Sequence, residues 1–110
     1  MLEGRGTRKN QTMKRLETYQ KNGHSFSLHE RTGDLATFHG NRIGGSSETW
    51  EVIHIQSHNG REIAGKYFDP AEFPPSNEQW GSKGFTCRNL EAANIRLSIE
   101  KEKVKGQTSD

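Results

Sequence analysis

Five histidines (His24, His29, His39, His54 and His58) and one cysteine, Cys87, are the residues of this 110-residue chain best suited to metal binding or nucleophilic attack. A zinc site needs three or four converging ligands, typically from Cys-x-x-Cys or from two histidines four apart on a helix. Neither pattern is present. His54 and His58 are four apart, but on a strand and its turn that spacing spreads the rings. Cys87 would need a histidine beside it and an Asn or Asp to orient that histidine. No spacing suggests the trio, and a single small cysteine more often packs in a core. Glu48, Glu51, Asp69 and Glu72 fall near one end of a central hairpin; they suit a paired-carboxylate site or merely solvated strand ends. The segments GRG, GNRIGG and WGSKG lack the strand and helix context of a phosphate loop. No nucleophile–base–orienter set emerges, no metal or cofactor is expected, and the chain reads as a non-enzyme.

Binding is the chemistry that remains. Trp80, Lys83, Phe85 and Arg88 interleave aromatic rings with cations, a combination that stacks a base, holds a phosphate or anchors a protein partner. The plain alternative is that Trp80 and Phe85 close the bottom of a small core. Arg42, in a flexible connection, is the next candidate contact. His54 is the third, because a mid-strand imidazole opposite Gly65 has room over the sheet.

The elements that must position these residues follow from turn chemistry. Residues 48–69, ETWEVIHIQSHNGREIAGKYFD, read as a hairpin about Asn59-Gly60, since a type I′ loop needs positive φ at both central residues. That register sets Val52 opposite Tyr67 and His54 opposite Gly65. Both faces are then apolar, as in the middle of a covered sheet. Asn22-Gly23 is a second such turn, pairing Tyr19 with Phe26 between strands at 14–20 and 24–31. Residues 32–34 turn into a strand at 35–39; a three-residue loop, with Phe26, Leu28, Ala36 and Phe38 on one face, is preferred over a two-residue loop that turns Leu35 inward. Residues 40–47 form a flexible connection. In the long segment 70–87, Ser76-x-x-Gln79 has capping-box spacing and Gly81 follows, which predicts one helical turn pinning Trp80. Residues 89–103 form a helix with two apolar stripes, Leu90, Ala93 and Leu97 on one and Ala92, Ile95 and Ile99 on the other. The expected fold is α+β, an antiparallel meander of about five strands with one C-terminal helix packed on a face.

Leu, Ile, Val and Phe number only 19, which limits the core and favours a homodimer that completes the cover of the sheet. The organisation expected is a disordered basic arm at 1–13, a single domain at 14–103 and a disordered tail at 104–110, with Met13 read as the start of the original protein. The net charge is +2. Residues 14–87 carry eight basic and nine acidic side chains, so the fold lacks the basic stripe of a dedicated nucleic-acid binder. Nucleic-acid binding through the arm, Arg88 and Arg96 is therefore the second choice. No apolar run approaches a membrane span and none resembles a signal peptide, so no membrane contact is expected. One cysteine excludes an internal disulfide framework and fits an intracellular setting.

The motifs Tyr19-x-x-Asn22-Gly23, Arg31-Thr32-Gly33-Asp34-Leu35-Ala36, Trp50-Glu51-Val52, Pro74-Pro75-Ser76, Glu78-Gln79-Trp80-Gly81, Gly84-Phe85-Thr86 and Leu90-Glu91-x-Ala93 occur in an order that resembles a group of small accessory proteins of tailed bacteriophages. The likeness is one of pattern and covers residues 14–100. It implies a modulator or inhibitor of host machinery, including defence systems, working in the host bacterial cytoplasm. The partner would be a host protein or a nucleotide-like ligand.

Overall fold

Asn22 and Gly23 take φ of 51° and 79°, the left-handed pair that a type I′ turn requires. They join β1 (Thr18–Lys21) to β2 (His24–Thr32) and set Tyr19 opposite Phe26, as the sequence predicts. The computed structural model of the chain describes residues 13–108. After β2 come β3 (Leu35–Arg42), β4 (Glu48–His54), β5 (Gln56–His58), β6 (Arg61–Ile63), β7 (Lys66–Phe68) and β8 (Ala71–Phe73), then a 3₁₀ turn at Asn77–Gln79, β9 (Gly84–Cys87) and helix α1 (Leu90–Thr108). Five strands form one antiparallel sheet in the order β9-β4-β3-β2-β1, and α1 packs on β3, β4 and β9. The fold is α+β, as expected.

The hairpin expected at Asn59-Gly60 does not form. Asn59 is absent from the positive-φ residues, whereas Ala64 and Gly65 have φ of 54° and 82° and make the turn between β6 and β7. β4 instead pairs with β3 on one side and β9 on the other, so His54 lies opposite Leu35, not Gly65. β5 pairs with β8 in a separate ribbon. The reason is burial. Trp50, Val52 and Ile53 are all buried, and a strand enclosed on both faces selects the neighbours with the most apolar surface to share. β3 and β9 bring Leu35, Ala36, Phe38 and Phe85, against the exposed Ile63, Tyr67 and Phe68 of the alternative.

The β2–β3 connection resolves differently from the expected three-residue loop. Thr32 opposes Leu35, which leaves a two-residue loop. A bulge at His29, between Leu28 and Glu30, then absorbs one residue of β2. Leu28 still faces Phe38, and Arg31 faces Ala36. The loop is one residue shorter than expected, yet the aromatic face is kept and Leu35 is also buried, beneath the helix.

Two cores result. Leu16, Phe26, Ala36, Phe38, Ile53 and Ile55 cluster on one face, with Tyr19 and Trp80 packed against them. Leu35, Trp50, Val52, Cys87, Ala93 and Leu97 cluster on the other, under α1. On the first face Tyr19 stacks on Phe26 at 4.9 Å between ring centres and tilts onto Phe38 at 5.0 Å. The Phe26 ring lies flat across Gly40, where any Cβ would overlap it. Arg31 joins β2 to the β5–β8 ribbon through two 2.7 Å bonds to Glu72, which also accepts the Leu16 N–H at 2.8 Å.

Asn89 caps α1 by accepting the Ala92 N–H at 2.8 Å. The helix runs to Thr108. Residues 104–108, expected in a disordered tail, therefore continue it; Lys105 in the last turn suits the negative end of the helix dipole. Residues 1–12 of the expected arm and the last two residues of the chain lie outside the described residues. Among those described, no helix is long and apolar enough to cross a membrane.

Two outcomes are expected. Gly40→Ala forces the Phe26 ring to shift and should cost about 1–3 kcal/mol in urea unfolding, as overpacking does; a parent-like midpoint would show that the ring is not held there. The bond from Arg31, more than the opposing cost of burial, lowers the Glu72 carboxyl from 4.5 to about 2, helped by the Leu16 N–H. Because the folded value is depressed, this stabilisation is present above about pH 4.5 and is lost as pH falls toward 2. Glu72→Gln should remove on the order of 3 kcal/mol near neutrality and flatten the acid limb of a stability–pH profile.

Candidate binding groove

The second apolar stripe of α1 is uncovered beyond Ala92, which packs against the helix-side core. Ala93, Leu97 and Glu100 face the sheet and are buried, while Ile95 and Ile99 are 59% and 41% exposed. Beside them runs β9, an edge strand of the five-stranded sheet. Between strand edge and helix lies an open groove of about 700 Å³, lined by Trp80, Phe85, Arg88, Ala92, Ile95, Arg96 and Ile99 among others.

Trp80 is placed by the short segment before β9. Ser76 N–H donates to Gln79 Oε1 at 2.9 Å, closing the expected capping box, and Gly81 follows at φ 97°. The indole then lies against Gly84, where a Cβ would meet the ring. Its Nε1–H donates to Thr86 Oγ1 at 3.0 Å, and the Thr86 hydroxyl donates to Glu51 Oε2 at 3.3 Å. Lys21 Nζ sits 3.2 Å from the centre of the indole and 2.8 Å from the same Glu51 oxygen. Tyr19 donates to Glu51 Oε1 at 2.6 Å. Burial, together with that bond and the charge of Glu51, pushes the phenol far up, so Tyr19 remains a donor. One wall of the groove thus hangs on a buried carboxylate.

The other wall is cationic and aromatic. The Arg96 guanidinium lies 4.3 Å from the Phe85 ring centre, and Lys103 Nζ lies 6.0 Å from it. Arg96 and Lys103 also reach Glu100 at 3.2 and 3.1 Å. Burial alone would push the Glu100 carboxyl up, but bonds from His54, Lys103 and Arg96 outweigh it and hold it below the usual carboxylate range.

Of the residues singled out in the sequence, Trp80, Phe85 and Arg88 meet in this groove. Lys83 does not line it. Its backbone is engaged, donating to Gln79 O and accepting from His54 N–H, both at 2.8 Å, while the residue itself is exposed. Arg42 sits where β3 enters the turn to β4, its N–H donating to Ser47 O at 2.9 Å. His54 Nε2 lies 2.8 Å from Glu100 Oε1, and the ring borders a separate cavity of about 400 Å³ with Leu35, Lys101 and Val104. Ile95 and Ile99 line the groove although their spacing suggested only a helix stripe, and Arg96 joins them from the same helix. Their signal was the split of the helix into two apolar stripes, one more than a single sheet can cover.

The other candidates disperse. His39 stacks on Trp50 at 4.2 Å, and His29 meets the same ring edge-on at 5.0 Å. Among the described residues no three His, Cys, Asp or Glu side chains gather as a metal site. Glu48 pairs with His39, Glu51 with Lys21 and Glu72 with Arg31, so of the two readings left open for these acids the paired-carboxylate site does not form among them. Cys87 is buried, and burial pushes its thiol up, away from a reactive thiolate. What the groove can do chemically is accept apolar anchors and hold an anionic group beside two guanidinium ions. No protein-family model, curated protein or solved structure matches the chain.

Glu51→Ala should strand Lys21 and Tyr19 and cost about 3–5 kcal/mol, the usual effect of breaking a buried ion pair. Urea unfolding followed by tryptophan fluorescence checks this. A loss no larger than that of a surface substitution would show that the carboxylate does not hold the wall.

Proposed function

We propose that this chain is a non-enzymatic binding protein that docks a segment of a partner protein in the groove between β9 and α1. The observation that carries the reading is the pairing of two exposed isoleucines, Ile95 and Ile99, with the Phe85 and Trp80 walls beside Arg88 and Arg96. Apolar side chains left in water on a rigid helix gain free energy when covered, and rings beside arginines are the residue types that dominate binding hot spots. The partner segment suited to this surface carries aliphatic or aromatic anchors and a carboxylate for the guanidinium pair. The phage resemblance supplies the setting: an accessory modulator acting on a host protein, including one of a defence system, in the bacterial cytoplasm.

A second reading rests on the Arg96 guanidinium held over Phe85, since a cation beside a ring is also a platform for a base. It would make the chain a nucleotide or nucleic-acid binder. The near-balanced charge of residues 14–87 weighs against a nucleic-acid surface.

The test is retention of one bacterial protein from lysate by the tagged chain, followed by affinity measurement on that protein. Ile95→Asp and Arg88→Ala should each weaken it by about 1–2 kcal/mol, five- to thirtyfold, while Lys83→Ala leaves it unchanged. Equal affinity in both groove variants would move the site elsewhere. Steeply salt-dependent retention of an oligonucleotide, lost in Arg96→Ala, would favour the second reading.

A further inference from the structure

The β6–β7 hairpin stands apart from the groove and from both cores. All eight residues from Arg61 to Phe68 are exposed, and they include Ile63, Tyr67 and Phe68 at 51%, 53% and 40%. Its two strands pair only with each other. Its register continues that of the β5–β8 ribbon, so it is the outer end of one long two-stranded ribbon, and two strands without a third are marginal in water. Three large apolar side chains on such an element call for a covering surface.

We propose that the open edge of β7 is met by a second copy of the chain, joined edge to edge across a two-fold axis, which brings the apolar side chains of the two copies side by side. The argument rests on which backbone groups face outward. Ala64 and Gly65 are the two central residues of the turn, so Ile63 and Lys66, which flank it, form the hydrogen-bonded pair that closes the loop. The next pair, Glu62 and Tyr67, is then a non-hydrogen-bonded pair, and its N–H and C=O groups point away from the partner strand. Each edge of the hairpin therefore offers one donor and one acceptor at its midpoint, Glu62 on β6 and Tyr67 on β7.

The two edges are not equivalent. A two-fold axis through Glu62 would set two carboxylates directly opposite one another, which is destabilising. A two-fold axis through Tyr67 lets the two tyrosines exchange both backbone bonds and sets Lys66 of each copy opposite Phe68 of the other. Lys66 Nζ already lies 5.5 Å from the Phe68 ring centre within one chain, so the ring and the ammonium are matched chemistry. Phe68 and Ile63 share a face, and the four-stranded sheet would join these side chains from both copies. The dimer expected from the small apolar inventory thus forms on the outlying hairpin. The face of the main sheet away from the helix already holds a core of its own, with Tyr19 and Trp80 packed against it. None of these contacts draws on the groove.

Sedimentation equilibrium of the full chain should show a monomer–dimer equilibrium at tens of micromolar. Opposed residues of a hydrogen-bonded antiparallel pair have Cα atoms about 5.5 Å apart, within disulfide reach. Tyr67→Cys should therefore cross-link to a dimer under mild oxidation. Glu62→Cys should stay monomeric, and the unmodified chain, with only the buried Cys87, serves as the blank. Tyr67→Pro, which deletes the donor at the axis, should weaken the dimer at least tenfold. If that variant disturbs the hairpin, the two cysteine variants still decide between the edges. A monomer throughout, cross-linking by Glu62→Cys as fast as by Tyr67→Cys, or a hairpin covered by a different protein while the chain stays monomeric would each overturn the proposal.

Discussion

Glu51 is the constraint on which the arrangement depends. It is 2% exposed, on the face of β4 away from the helix, and a buried carboxylate persists only if its lone pairs are met. The donors come from both edges of the sheet: Tyr19 and Lys21 on β1, Thr86 on β9. For β1 to reach β4, the sheet must curl across β2 and β3. The tyrosine therefore spans Phe26 and Phe38, and Gly40 must leave room for the ring below. One charge thus specifies the curvature of the sheet, the packing of three aromatic rings and the seat of Trp80. Apolar residues alone would permit several curvatures; the carboxylate selects one.

Local chemistry made much of this legible in the sequence. The Asn22-Gly23 turn, the Tyr19–Phe26 pair, the Ser76–Gln79 cap and the twin stripes of α1 are each decided within a few residues. The failures are non-local. Asn59-Gly60 carries the sequence of a tight hairpin, but the pairing of β4 was settled by burial against β3 and by β9, a strand some thirty residues downstream. Ala64-Gly65 offered a weaker signal, because alanine seldom takes the left-handed conformation it adopts there. The bulge at His29 could not be read either. A bulge and a longer loop satisfy the same apolar pattern, and only the ladder of backbone bonds tells them apart.

The same division holds for the site. Trp80, Phe85 and Arg88 were legible as a mixture of ring and charge in one segment. Lys83 stands in the turn before β9, its backbone bonded to Gln79 and His54, and alternation along the strand begins only after it: Gly84 and Thr86 face Glu51 while Phe85 faces the helix. Arg42 and His54 were chosen for room and flexibility, neither of which brings a side chain to a particular place. His54 proved to be a partner of Glu100, a second buried carboxylate whose presence no periodicity announces.

β4 must wait for β9. The first four strands of the sheet follow one another through short turns and can close early, whereas the fifth arrives only after residues 55–83 have been looped out, at a cost in chain entropy that local hairpins do not bear. Until then β4 presents a bare edge, and α1 has only part of its seat. The groove is made entirely from these late-arriving pieces, β9, Trp80 and the helix. Any ligand that fills it selects the fully closed chain and stabilises it by mass action, so recognition and the completion of folding are one equilibrium at this end of the molecule.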